Sequence, residues 1–293
     1  RSLLSMYTQG LGAIINIILD PVFIFVFDMG VAGAAIATVV SPLGSGVLCV
    51  WYMRKHFEVL RMEKDDWRLR KAEALRLLGM GVPVGLQFSI TAIGSVLLQS
   101  AVNSLGAVCV SGVAVASKIY MLLCCPFDAL AMAATNFTGQ NLGAGKNERV
   151  RHGCRSGVTI GMTMGAIFAV VFYVFAKPLV YAFISDGNLE AVDVGVDFLH
   201  IVTPFYVFLS IKLMVDGVQR GAARMLQFMI ATLSDLFLRV VLSFTLSPIF
   251  GIRGVWYSWP VGWVVGIVLS ATLYLVWARK LTAGEEKTPV KAE

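Results

Sequence analysis

Eight ionisable side chains stand inside otherwise apolar segments: Asp20, Lys118, Asp128, Lys177, Lys212, Asp216, Asp235 and Arg239. The segments cover residues 3–27, 31–52, 77–102, 107–134, 158–183, 198–218, 228–250 and 255–278. Each is long enough to cross a hydrocarbon core of ~30 Å, which takes about 20 helical residues. A charge at the centre of a bilayer costs at least ~2.5–3.5 kcal/mol on insertion scales. Such groups therefore face a partner or a cavity, where they bind or relay ions. Asp235 and Arg239 are four apart with the acid first, the favourable order for a pair within one helix. Lys212 and Asp216 share that spacing in the less favourable order. Asp20 precedes Pro21 near an outer end, Lys177 is within snorkelling reach of one, and Asp128 lies toward an inner end. Lys118 differs. It lies ~16 Å into its segment at 1.5 Å per residue, and Asp128 is too far along the helix to pair with it. Burial there disfavours the charged form, so Lys118 is either half of an interhelical pair or a proton-linked group.

Other chemistries find no support. There is no GxSxG and no carboxylate pair on a soluble face, so no catalytic residue is assigned and an enzyme is not expected. Gly145-Lys146-Asn147 lacks the earlier glycine and the following Ser/Thr of a phosphate loop. His56, His152 and His200 are dispersed, and the five cysteines have no metal-ligand spacing. No metal and no cofactor are expected. With no sign of ATP hydrolysis, an ion gradient (H⁺ or Na⁺) is the energy source left.

The elements that position these groups are membrane helices. Only 14% of the residues are charged and 57% are apolar, outside globular averages. Of 24 Lys and Arg, eighteen lie in 53–76, 135–157, 219–227 and 279–293; the alternate loops hold one, Arg253. Basic loops stay cytoplasmic, which predicts a multi-pass protein of the cell membrane with both ends of this chain inside. The same loops explain the net charge of +6 without nucleic acid. The stretch 56–76 mixes Trp67 and several leucines with charges, as in an amphipathic surface helix. It divides residues 1–55, two helices ending one lobe, from a six-helix lobe at 77–280, followed by a tail at 281–293.

Gly30-Val31-Ala32-Gly33 recurs as Gly251-Ile252-Arg253-Gly254, 221 positions later. Parallel repeats of six helices would account for that interval, with four helices preceding this sequence. The sequence starts at Arg1 within an apolar span and is expected to be the C-terminal part of a longer protein. Gly157, Gly161 and Gly165 make one small-residue stripe, and Gly262 and Gly266 another, for close helix packing.

The run Asn16-Ile17-Ile18-Leu19-Asp20-Pro21, followed by Gly30 to Thr38 with Gly33 inside it, resembles the fifth and sixth helices of MATE (multidrug and toxic compound extrusion) transporters. Gly81-Val82-Pro83-Val84-Gly85-Leu86-Gln87 resembles the start of their seventh helix. Thr138-Gly139-Gln140-Asn141-Leu142-Gly143-Ala144 resembles the end of their eighth, and Asp235 with Arg239 an acidic–arginine pair on the eleventh. The resemblance implies an all-α membrane protein, eight helices of a twelve-helix, two-lobe antiporter, monomeric at full length. It would export organic, often cationic compounds for H⁺ or Na⁺ by alternating access. Asn16, Pro21, Gly33, Pro83, Gln140, Asn141 and Gly143 would be structural. Lys118, Asp216, Asp235, Arg239, Asp20 and Gln87 are the coupling or transport candidates. Two positions depart from some members: Thr91 and Leu209 stand where those carry carboxylates. Alternatives are a lipid or oligosaccharide-lipid flippase, a polytopic enzyme, and a non-transporting remnant.

Overall fold

In lipid a backbone amide finds no partner outside its own helix, so apolar runs of this length fold as helices. The computed structural model describes residues 2–57, 70–183 and 189–282. α1 (Ser2–Pro21) passes into a π turn (Val22–Val26), and α2 (Gly30–His56) follows. Then come α3 (Lys71–Asn103), α4 (Ala107–Gly143), α5 (Asn147–Val174), the short α6 (Ala176–Tyr181), α7 (Leu189–Val202), α8 (Tyr206–Gly221), α9 (Met225–Phe250) and α10 (Ile252–Thr282). Among the described residues, eight stretches are long and apolar enough to cross a membrane. The amphipathic helix expected within 56–76 and the tail after Thr282 fall largely outside the described residues.

The sixth span departs from expectation. Residues 189–197 read as loop because Glu190, Asp193 and Asp197 dilute their hydropathy. They are helical: Ala191, Val192, Gly195, Phe198, Leu199 and Val202 form one buried face of α7, while Asp193 stays exposed. Pro204 limits the join to a 3-10 turn (Thr203–Phe205), and α8 continues to Gly221.

The chain divides into two compact units, Arg1–Ala74 and Leu75–Glu293. In the first, α1 packs on α2, and Gly33 lies against the backbone of Phe23. In the second, the glycine stripe of α5 faces α8: Gly157 meets Met214, Gly161 meets Ser210 and Gly165 meets Tyr206. Opposite, Gly217 and Gly221 of α8 lie on the carbonyls of Ala131 and Thr135 in α4. Thr135 Oγ1 donates to the Gly217 carbonyl at 2.9 Å. Lipid supplies no hydrophobic drive between helices, so small residues and such bonds carry the packing.

The repeated Gly-x-x-Gly has a physical reason. Gly30 (φ +53°) and Gly251 (φ +59°) take the positive φ that glycine tolerates, at the starts of α2 and α10. One turn later, Gly33 and Gly254 let each helix lie against the element before it, at Phe23 and at the Leu246 carbonyl. The same hairpin construction is used in both units.

Candidate functional site

Four of the intramembrane charges converge in the second unit. On α9, Arg239 Nε stands 3.1 Å from Asp235 Oδ1 and Nη2 donates to Oδ2 at 3.4 Å. On α8, Lys212 Nζ donates to Asp216 Oδ2 at 2.8 Å, despite the less favourable order. The same ammonium lies 3.8 Å from Asp235 Oδ2, which joins the two pairs. Ser270 of α10 donates to Asp216 Oδ1 at 2.5 Å, and its carbonyl accepts from Gln219 Nε2 at 2.9 Å. Lys212, Asp216 and Asp235 are 4%, 2% and 2% exposed. Burying an ion costs several kcal/mol, and two cations facing two hydrogen-bonded anions offset that cost.

α10 makes room for this cluster. A methyl group at Gly262 would overlap Asp235 Oδ1, and one at Gly266 would come within 2.6 Å of Lys212 Cε. The four-residue step of the glycines matches that of both ion pairs. Read in sequence as a helix-packing stripe, these two glycines seat charged side chains.

Arg239 also borders a cavity of about 390 Å³ between α3, α4, α7, α9 and α10. Its guanidinium carbon lies 5.4 Å from the Trp259 ring centre, a cation–π contact. Tyr120 meets Trp259 edge-on at 4.9 Å. Trp256 adds apolar wall, while Thr91, Ser95 and Gln99 of α3 and Ser117 of α4 supply hydroxyls and an amide. Such a lining can stack flat organic groups and hydrogen-bond them. Arg239 is the cavity's charged lining residue, and its charge is matched by Asp235.

The other candidates lie elsewhere. Lys118 is exposed, between the cavity-lining Ser117 and Tyr120, without an ion-pair partner among the described residues. Gln87 is 8% exposed, and its carbonyl accepts from Thr91 Oγ1 at 2.8 Å. Leu209 is core, 4% exposed. In the first unit, Asn16 Nδ2 and Asp20 Oδ1 are shielded from solvent without a hydrogen-bond partner among the described residues, four residues apart on α1. Pro21 closes α1 and Pro83 lies inside α3. Gln140, Asn141 and Gly143 end α4. Asn141 Nδ2 donates to the Phe137 carbonyl at 2.8 Å, and the carbonyls of Gln140 and Asn141 take the amides of Ala144 and Lys146. Sequence reasoning missed Tyr120, Trp256 and Trp259 as wall residues. Aromatics recurring on a membrane helix read as lipid-facing or core until their neighbours are known.

Residues 83–245, more than half of the chain, match the model of the MatE family. The chain belongs to the MatE family. It is 32% identical over 224 residues to YpnP of Bacillus subtilis, a probable multidrug resistance protein, covering 75% of this chain and 48% of that one. It is 26% identical over 281 residues to NorM of Thermotoga maritima, also a probable multidrug resistance protein, covering 92% and 58%. The chain thus spans about half to three fifths of these relatives. An outward-facing multidrug resistance MATE family transporter matches the fold with a TM-score of 0.87 at 23% identity, over 95% of this chain and 63% of that one. A transporter of the MOP superfamily from Pyrococcus furiosus matches with 0.85 at 22%, over 96% and 63%. This MatE chain therefore carries eight of the helices of a membrane transporter fold.

Proposed function

We propose that this MatE chain is part of a secondary active antiporter of the cell membrane. It exports organic, multidrug-type compounds, chiefly cationic, in exchange for H⁺ or Na⁺ by alternating access, and its termini face the cytoplasm. The observation that carries this reading is the aromatic cavity set beside a neutral buried ion cluster in a MatE lobe. A guanidinium already rests on Trp259, so the ring face suits a cation, and Asp235 cancels the charge that would repel one. A flippase for pyrophosphate-bearing lipids would want a more basic cavity. Three places serve as coupling candidates: the Lys212–Asp216–Asp235–Arg239 cluster, Asp20 with Asn16, and Lys118. The test is export of a fluorescent cationic dye from an efflux-deficient host by the full-length protein. Trp259→Ala should raise the half-saturating dye concentration about tenfold, the size of a desolvated cation–π contact. Unchanged dye export would take the cavity off the transport path.

A further inference from the structure

The basic end of the second unit carries a groove of about 450 Å³ between α5, α8 and α10 that shares no lining residue with the cavity at Arg239. Its rim is Arg151, His152 and Arg155. Arg151 and Arg155 are four apart on α5 and so share one face. His152 lies 4.0 Å from Glu148, whereas neither arginine has an ion-pair partner among the described residues. The floor is apolar: Val158, Val215, Leu275 and Ala278. Tyr274 and Cys154 complete the lining. From Arg151 to Val158 the groove follows α5 for seven residues, ~10 Å at 1.5 Å per residue.

We infer that this groove binds one anionic phospholipid, its phosphate held by Arg151 and Arg155 and an acyl chain laid along Val158 and Leu275. Two guanidinium groups with no ion-pair partner among the described residues, beside an apolar trough, complement an anion joined to a hydrocarbon chain. A soluble anion would leave the trough wet, and a neutral lipid would leave both arginines unmatched. Guanidinium binds phosphate oxygens in bidentate geometry, and basic pockets between helices at the cytoplasmic side suit anionic head groups. The groove's place at the basic ends of α5 and α10 sets it at head-group depth.

Native mass spectrometry of the full chain, released from nanodiscs of equal phosphatidylglycerol and phosphatidylcholine, tests this. One phosphatidylglycerol should be retained per chain. Arg151→Gln with Arg155→Gln should cut its occupancy by roughly tenfold or more. Lys146→Gln with Arg149→Gln removes equal charge from the same region away from the groove, and should leave occupancy within about twofold. Leu275→Trp, at an exposed position, fills the trough with both arginines intact and should also expel the lipid. Equal losses in the two charge-removal variants would reduce the effect to surface potential and overturn the site. Full retention by Leu275→Trp would do the same. Displacement of the lipid by millimolar inorganic phosphate would assign the arginines to a soluble anion instead.

Discussion

Asp235 stands between Arg239 and Lys212, so its removal leaves the part-buried Arg239 without its carboxylate, while Lys212 keeps Asp216. Asp235→Ala should cost about 3–5 kcal/mol and lower the folded yield measured by fluorescence-detected size exclusion. Asp235→Ala with Arg239→Ala leaves the balanced Lys212–Asp216 pair and should recover part of that yield. A wild-type yield from the single variant would show that the cluster does not hold the helices together. Lys118 is the opposite case. It is exposed, so Lys118→Gln and Lys118→Arg should both fold within ~0.5 kcal/mol of wild type. If it carries the coupled proton, both should abolish proton-coupled efflux in the full-length protein, because neither side chain cycles a proton near neutral pH. Wild-type transport by the arginine variant would make it a fixed charge.

At the level of the helix, Gly161 and Gly266 are not equivalent. A methyl group at Gly161 would find Leu130 and Ser210 at 3.4 and 3.5 Å, ordinary contacts. One at Gly266 would press on Lys212 at 2.6 Å and directly on Asp235 Cβ at 3.2 Å. Gly161→Ala should therefore change stability by less than ~0.5 kcal/mol, whereas Gly266→Ala should cost about 1–3 kcal/mol. Thermal inactivation midpoints in detergent compare the two, and equal shifts would contradict the seating of the cluster by α10. Between α4 and α8, Thr135→Val removes the bond to the Gly217 carbonyl. In membranes such bonds average ~0.6 kcal/mol, so a small decrease in midpoint is expected.

Over the whole molecule, the proposed orientation rests on the loops. Arg253 is the basic residue on the wrong side, and Asp197 neutralises it at 2.7 Å. The asymmetry of eighteen to one therefore stands uncontested. With the five native cysteines replaced, Asp193→Cys should react with an impermeant maleimide on intact cells, and Asn147→Cys only after permeabilisation. The reverse pattern would invert the topology and place the lipid groove in the outer leaflet.

Span number and the direction of charge bias are local properties, and the sequence by itself determined them. A hydrocarbon slab of fixed thickness reads each segment independently of its neighbours. Local too was the Asp235–Arg239 pair, because a four-residue step on one helix sets it. The acidic first turns of α7 hid a helix, since its buried face appears only once Val192 and Leu199 meet other helices. Tertiary structure alone decided that Lys212 reaches across to Asp235, that Gly262 and Gly266 seat the charges, and that Lys118 is exposed. It also drew Trp259, Tyr120 and Thr91 from three helices around one cavity. Those facts depend on how helices are rotated against one another, and packing between surfaces far apart in sequence fixes that rotation.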